Sequence, residues 1–123
     1  MIVDGFEELE CYQKARAIRI NASAFCKTLP KDERFRLVDQ MIRASRSVTA
    51  NIAEGYGRHH HQEHLQYLRQ ARGSLYETLE HYHTALDENY LSIERHQEID
   101  TQIRTALRIL NGYIRYIRSR TQK

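Results

Sequence analysis

This chain can seldom turn. One Pro and five Gly are spread over 123 residues, and between them apolar side chains recur at steps of three and four, which gathers them on one face of an α-helix. A β domain needs a turn every ~8–12 residues and has nowhere to make them here. Leu9, Tyr12, Ala15, Ile18, Ala22, Phe25 and Leu29 form a first stripe that stops at Pro30. Leu37, Met41, Ala44, Val48 and Ile52 form a second, followed by Gly55 and Gly57, read as the flexible backbone that commonly follows a helix C-terminus. Leu65, Leu68, Ala71, Leu75, Leu79, Tyr82 and Leu86 form a third, closing at Asn89, a residue that tolerates left-handed backbone. Ser92 is a natural N-cap for the fourth.

That fourth segment carries two stripes, Ile99, Ile103, Leu107, Leu110, Ile114 and Ile117 in one and Ala106, Ile109, Tyr113 and Tyr116 in the other. The pattern predicts helices at about 6–29, 32–54, 61–88 and 93–119. With short connections they specify an all-α, up-down-up-down antiparallel four-helix bundle, and residues 1–123 make one domain of ordinary size. The second stripe exceeds what one bundle core needs. It marks Ile109, Tyr113 and Tyr116 as a subunit interface.

No apolar run approaches the ~20 residues that cross a bilayer, and the acidic start Asp4-Gly-Phe-Glu-Glu8 lacks the basic and apolar regions of a signal peptide. A cytoplasmic protein without membrane contact is expected. Cys11 and Cys26 stand 15 residues apart on one predicted helix, about 22 Å, far beyond disulfide reach. They read as free thiols, and no Cys-x-x-Cys offers a zinc or redox motif. No cofactor and no metal are expected.

Charge is distributed unevenly behind a formal net of +3. Acids dominate from Ser74 to Asp100 (Glu77, Glu80, Asp87, Glu88, Glu94, Glu98, Asp100, against Arg95), whereas Arg104, Arg108, Arg115, Arg118, Arg120 and Lys123 follow Thr101 with no acidic side chain. Arg104, Arg108, Arg115 and Arg118, with Asn111 between, line one helical face about 21 Å long. Of 19 basic residues only Lys14, Lys27, Lys31 and Lys123 are Lys, and Arg grips phosphate oxygens in a bidentate way. The row fits a phosphate footprint, with Arg120 as a further contact. It equally fits a solvated or intersubunit face whose arginines pair with acids.

Two polar stripes flank the core. Arg43, Ser47, Asn51, Glu54 and Arg58 lie on the second helix, where Arg43, Glu54 and Arg58 can neutralise one another, and Gln70, Ser74, Glu77 and His81 lie on the third. A hydrogen-bond and ion-pair network that fixes helix register is favoured over a catalytic cleft, because no nucleophile with an adjacent base can be read from the spacing. His59, His60, His61 and His64 cluster at the second connection, with His60 and His64 at the i, i+4 spacing that lets two imidazoles share a metal and Glu63 beside them. A solvated turn is the plainer reading. Gly73 and Gly112 interrupt helices, which points to close approach of a neighbouring backbone.

The run Gln40-Met-Ile-Arg-Ala-Ser-Arg-Ser-Val-Thr-Ala-Asn-Ile-Ala-Glu-Gly-Tyr-Gly-Arg58, with Asn51-Ile-Ala-Glu-Gly55 at its centre, resembles the signature of the four-helix-bundle proteins encoded in intervening sequences of bacterial 23S rRNA genes. The resemblance extends through Glu63, Tyr67-Leu68, Ala71 and Gly73-Ser-Leu-Tyr-Glu77, and back through Phe6, Leu9, Tyr12 and Pro30-Lys-Asp-Glu33. It implies an up-down bundle assembling into a ring, typically a homopentamer, with no established enzymatic activity, and such a ring would account for the second stripe. The chain is also similar to the accessory proteins of diversity-generating retroelements, whose basic pentamers bind a reverse transcriptase and nucleic acid. Thr49 stands where proline is common, His60 where a serine cap is common and His64 where an aromatic is common. Three functions follow as expectations: an oligomer binding RNA or DNA through the arginine row, an oligomeric scaffold docking a protein such as a reverse transcriptase, and a metal-dependent enzyme using His60, Glu63 and His64. The first leads. Readout of base sequence is not expected, because Tyr113 and Tyr116 are the only stacking candidates near the arginines and belong to the subunit interface.

Overall fold

The computed structural model describes residues 4–58 and 60–121. His59 of the histidine cluster and Lys123 of the basic run lie outside the described residues. Four helices, α1 Glu10–Cys26, α2 Leu37–Tyr56, α3 His61–Asp87 and α4 Ile93–Thr121, are joined by short connections, with single 3-10 turns at Phe6–Glu8 and Lys31–Glu33 and no strand among the described residues. They form a four-helix bundle in which α2 packs between α1 and α3, and α4 packs against α3 and α1. Met41, Val48, Ile52, Leu68, Leu75, Tyr82, Ile103 and Leu110 are buried to near completion, so the core draws on the predicted stripes of α2 and α3 and the first stripe of α4. Ala15, Ile18 and Ala22 supply α1's share. Among the described residues no helix is long and apolar enough to cross a membrane.

The ends of the first two helices differ from the periodicity. Phe6 lies in the separate 3-10 turn, and extended backbone at Leu9 (ψ 131°) divides that turn from α1. At the other end α1 stops at Cys26, before Leu29, because the residue preceding a proline is driven away from helical backbone. The last carbonyls are closed by tighter bonds, Thr28 N–H to Phe25 O at 2.9 Å and Leu29 N–H to Cys26 O at 3.2 Å. α2 starts at Leu37 rather than near 32. Glu33 holds the intervening turn: its carboxylate accepts the Leu37 N–H at 3.4 Å and the Tyr90 hydroxyl at 2.7 Å, a charged acceptor that pushes the phenol up to about 12.

The third connection follows the sequence closely. Asn89 adopts φ 62°, and the bonds from Tyr90 N–H to Ala85 O (2.9 Å) and Asn89 N–H to Leu86 O (3.0 Å) form the two-bond left-handed cap of a helix C-terminus. The Ser92 hydroxyl then accepts the Arg95 N–H at 3.1 Å and caps α4.

The glycines need correction. Gly55 is buried inside α2, and no described glycine has a positive φ. A Cβ at Gly55 would stand 2.9 Å from Tyr67 Cβ and 3.1 Å from the His64 carbonyl, so this is where α2 and α3 approach too closely for any side chain. Gly73 does not serve that purpose: a Cβ there would meet nothing within 4 Å. At Gly112 it would meet only the far end of Arg115, at 3.7 Å, so neither glycine marks a close backbone.

Candidate nucleic-acid interface

On α4, Arg104, Arg108, Asn111 and Arg115 line one hollow of about 260 Å3, floored by Leu107. The opposing wall comes from α3, where Tyr76 stands 51% exposed. Arg72, one turn before Tyr76, donates to Asn111 Oδ1 at 2.9 Å and adds a guanidinium whose partner is neutral. Arg104 bonds Asp100 at 3.0 Å, so one predicted arginine of the row is partly neutralised by the acidic start of its own helix. Arg108 and Arg115 are exposed, and neither has a carboxylate partner among the described residues. Like charges held side by side without counterions favour an anionic partner.

Arg118 follows Arg115 by one turn and is exposed, whereas Arg120 is held elsewhere, with its guanidinium 5.6 Å from the Tyr116 ring and bonded to that hydroxyl at 3.3 Å. Arg120 therefore departs from the row it was expected to extend, because five residues beyond Arg115 turn it by 140° about the helix axis. The periodicity of α4 alone does not reveal Tyr76 and Arg72, which lie on α3. The signal was pairing across helices: residues 72 and 83 of α3 meet residues 111 and 96 of α4, which brings position 76 level with the arginines.

The opposite flank of α4 is apolar. Ile109, Tyr113 and Tyr116 line a groove of about 390 Å3 with Gly112, and Leu9, Glu10 and Cys11 of the first helix region face them. Tyr116 is 39% exposed, and Tyr113 stacks on it with centroids 6.2 Å apart. Ala106, expected in this second stripe, is instead buried in the core. Cys11 at the groove floor has its thiol pushed up to about 12 by burial, and the Cys26 thiol is raised to about 11 for the same reason, so both are protonated and unreactive near neutrality.

The polar stripes meet as a structural network. Asn51 donates to the Ser47 carbonyl and hydroxyl, each at 2.9 Å, and Ser74 of α3 donates to the Ser47 hydroxyl at 2.8 Å. Glu54 pairs with Arg58 at 3.0 Å, and Arg58 also reaches Glu63 at 3.8 Å and the Tyr67 hydroxyl at 2.8 Å. Arg43 is not part of that set. It pairs with Asp39 at 3.5 Å on the exposed side of α2. Glu77 bonds His81 at 3.2 Å one turn along α3.

His60 and His64 sit in different surroundings. His60 is the exposed N-cap residue of α3, whereas His64 is 6% exposed, wedged edge-on between Tyr56 and Tyr113. Its Nε2 has no hydrogen-bond partner, and no group of three His, Cys, Asp or Glu among the described residues is placed to hold a metal. A histidine pair the sequence reading did not single out, His83 Nδ1 and His96 Nε2 at 2.8 Å, instead ties α3 to α4.

Fold and surface together define a small all-α bundle with a basic face on one side of its last helix and an apolar groove on the other. Over residues 7–112 the chain matches the family of 23S rRNA-intervening sequence proteins, and it belongs to that family. A solved structure with the same fold is a protein of unknown function from the S23 ribosomal protein family of Bacteroides thetaiotaomicron. It is 19% identical, with a TM-score of 0.78 over 85% of this chain and 97% of that one. Comparison with curated protein sequences gives no match.

Proposed function

We propose that this protein is a non-enzymatic RNA-binding subunit, an up-down-up-down antiparallel bundle that assembles into a ring, in keeping with the homopentamer its family resemblance implies. The observation that carries the reading is the pair Arg108 and Arg115, exposed beside Arg72 with no carboxylate partner among the described residues. The arginine hollow is built against α3 and the tyrosine groove against α1, so they occupy opposite flanks of α4. Closing a ring through the groove leaves every arginine face open. Repetition matters, since a few phosphate contacts on one bundle bind weakly at physiological salt and a linked array gains by avidity. The same chemistry serves in the cytoplasm, where structured RNA is plentiful.

The double variant R108E/R115E tests it. The expected result is an oligomer of unchanged mass whose affinity for structured RNA falls by more than tenfold and whose salt dependence flattens. Loss of the oligomer would place these arginines in the ring interface. Unchanged RNA affinity would reassign the face to docking a protein, such as a polymerase.

A further inference from the structure

We infer that Tyr76 is a stacking platform for an unpaired nucleobase, so that the arginine face takes single-stranded nucleic acid or the unpaired loops of a folded one. The inference rests on the RNA-binding reading above and narrows its substrate class. Three observations converge. Tyr76 is half exposed, and among the described residues its ring packs on no other aromatic and its hydroxyl makes no hydrogen bond. It walls an open hollow of about 260 Å3. The rim of that hollow is cationic, with Arg104, Arg108 and Arg115 around it and Arg72 fixed at its edge by Asn111.

An aromatic plate inside a cationic rim is the arrangement by which proteins hold unpaired nucleotides. The plate takes the base face while guanidiniums take the flanking phosphates. Arg108 and Arg115 are seven residues apart on one helix, about 10.5 Å, so they can grip phosphates on either side of the stacked base. Inside a duplex each base face is already covered by its neighbours, and only the two terminal pairs leave a face on which Tyr76 could stack. Along its length a duplex would still feel the arginines but gain nothing from the tyrosine. The site therefore discriminates strandedness rather than sequence, since every base has a π-face.

The test compares wild type, Y76A and Y76F on an oligoadenylate strand and on a blunt RNA duplex of equal phosphate number, at several salt concentrations. Y76A is expected to bind the single strand roughly 5- to 150-fold more weakly, with its salt slope and its duplex affinity unchanged, and Y76F is expected to bind like wild type. The chain contains no Trp, so Y76W places a unique fluorophore at the platform, and stacking is expected to quench it with the single strand and not with the duplex. If Y76A binds the single strand as well as wild type does while R108E/R115E does not, the platform is overturned and the arginine face stands. If wild type binds neither nucleic acid, both readings fall.

Discussion

At the scale of single residues, His64 carries the sharpest consequence. It is buried against Tyr56 and Tyr113, with Nε2 unpartnered among the described residues, and an orphaned buried polar group costs about 1–3 kcal/mol. Burial first, and the nearby His61 second, lower its pKa from the ordinary 6.5. The folded protein therefore holds fewer protons on this imidazole than the unfolded chain. Its stability is complete above the unfolded value and declines as pH falls below about 6.5. H64F keeps an aromatic ring against Tyr56 and Tyr113 and removes the titration. It should raise unfolding stability by about 1–3 kcal/mol at pH 7, and its melting temperature should fall less than that of wild type between pH 7.5 and pH 5.5. Melting curves that run parallel across that range would show that His64 is not the proton acceptor. The sequence singled out position 64 for its chemistry. Its burial was hidden, because a histidine at a helix start reads as solvated until the packing of α4 is known.

At the scale of elements, the stripes of apolar residues located all four helices, and Asn89 and Ser92 marked the α3–α4 connection correctly, since each signal is local and comes from backbone preference. Other features needed a partner element to become visible. Gly55 is a steric requirement of the α2–α3 contact rather than a helix terminator, and Gly73 faces open space. Opposite outcomes are expected when each becomes alanine. G55A forces Tyr67 and the His64 backbone apart and should lose about 1–3 kcal/mol in urea unfolding. G73A removes backbone freedom at an open helical position and should gain about 1 kcal/mol. Equal effects of the two substitutions would mean that the close contact at Gly55 is absent in solution. Tyr76 was illegible for the same reason, as its place among arginines exists only once α3 lies beside α4.

At the scale of the whole molecule, the bundle separates two surfaces across one helix. α4 directs its apolar groove toward the seam with α1 and its basic hollow toward α3, so the proposed self-association and the proposed RNA binding use different surfaces. Y113S/Y116S should shift the protein toward monomers in light scattering and weaken RNA binding through lost avidity, while leaving each arginine face intact. Two apolar stripes on the last segment announced the groove in the sequence, and the uneven charge announced the arginines. The most direct measurement is RNA binding by the mass-determined oligomer across a salt series. A species several times 14.6 kDa that binds structured RNA with a steep negative slope of log affinity against log salt is the predicted result. An intact oligomer that binds no RNA even at low salt would contradict it.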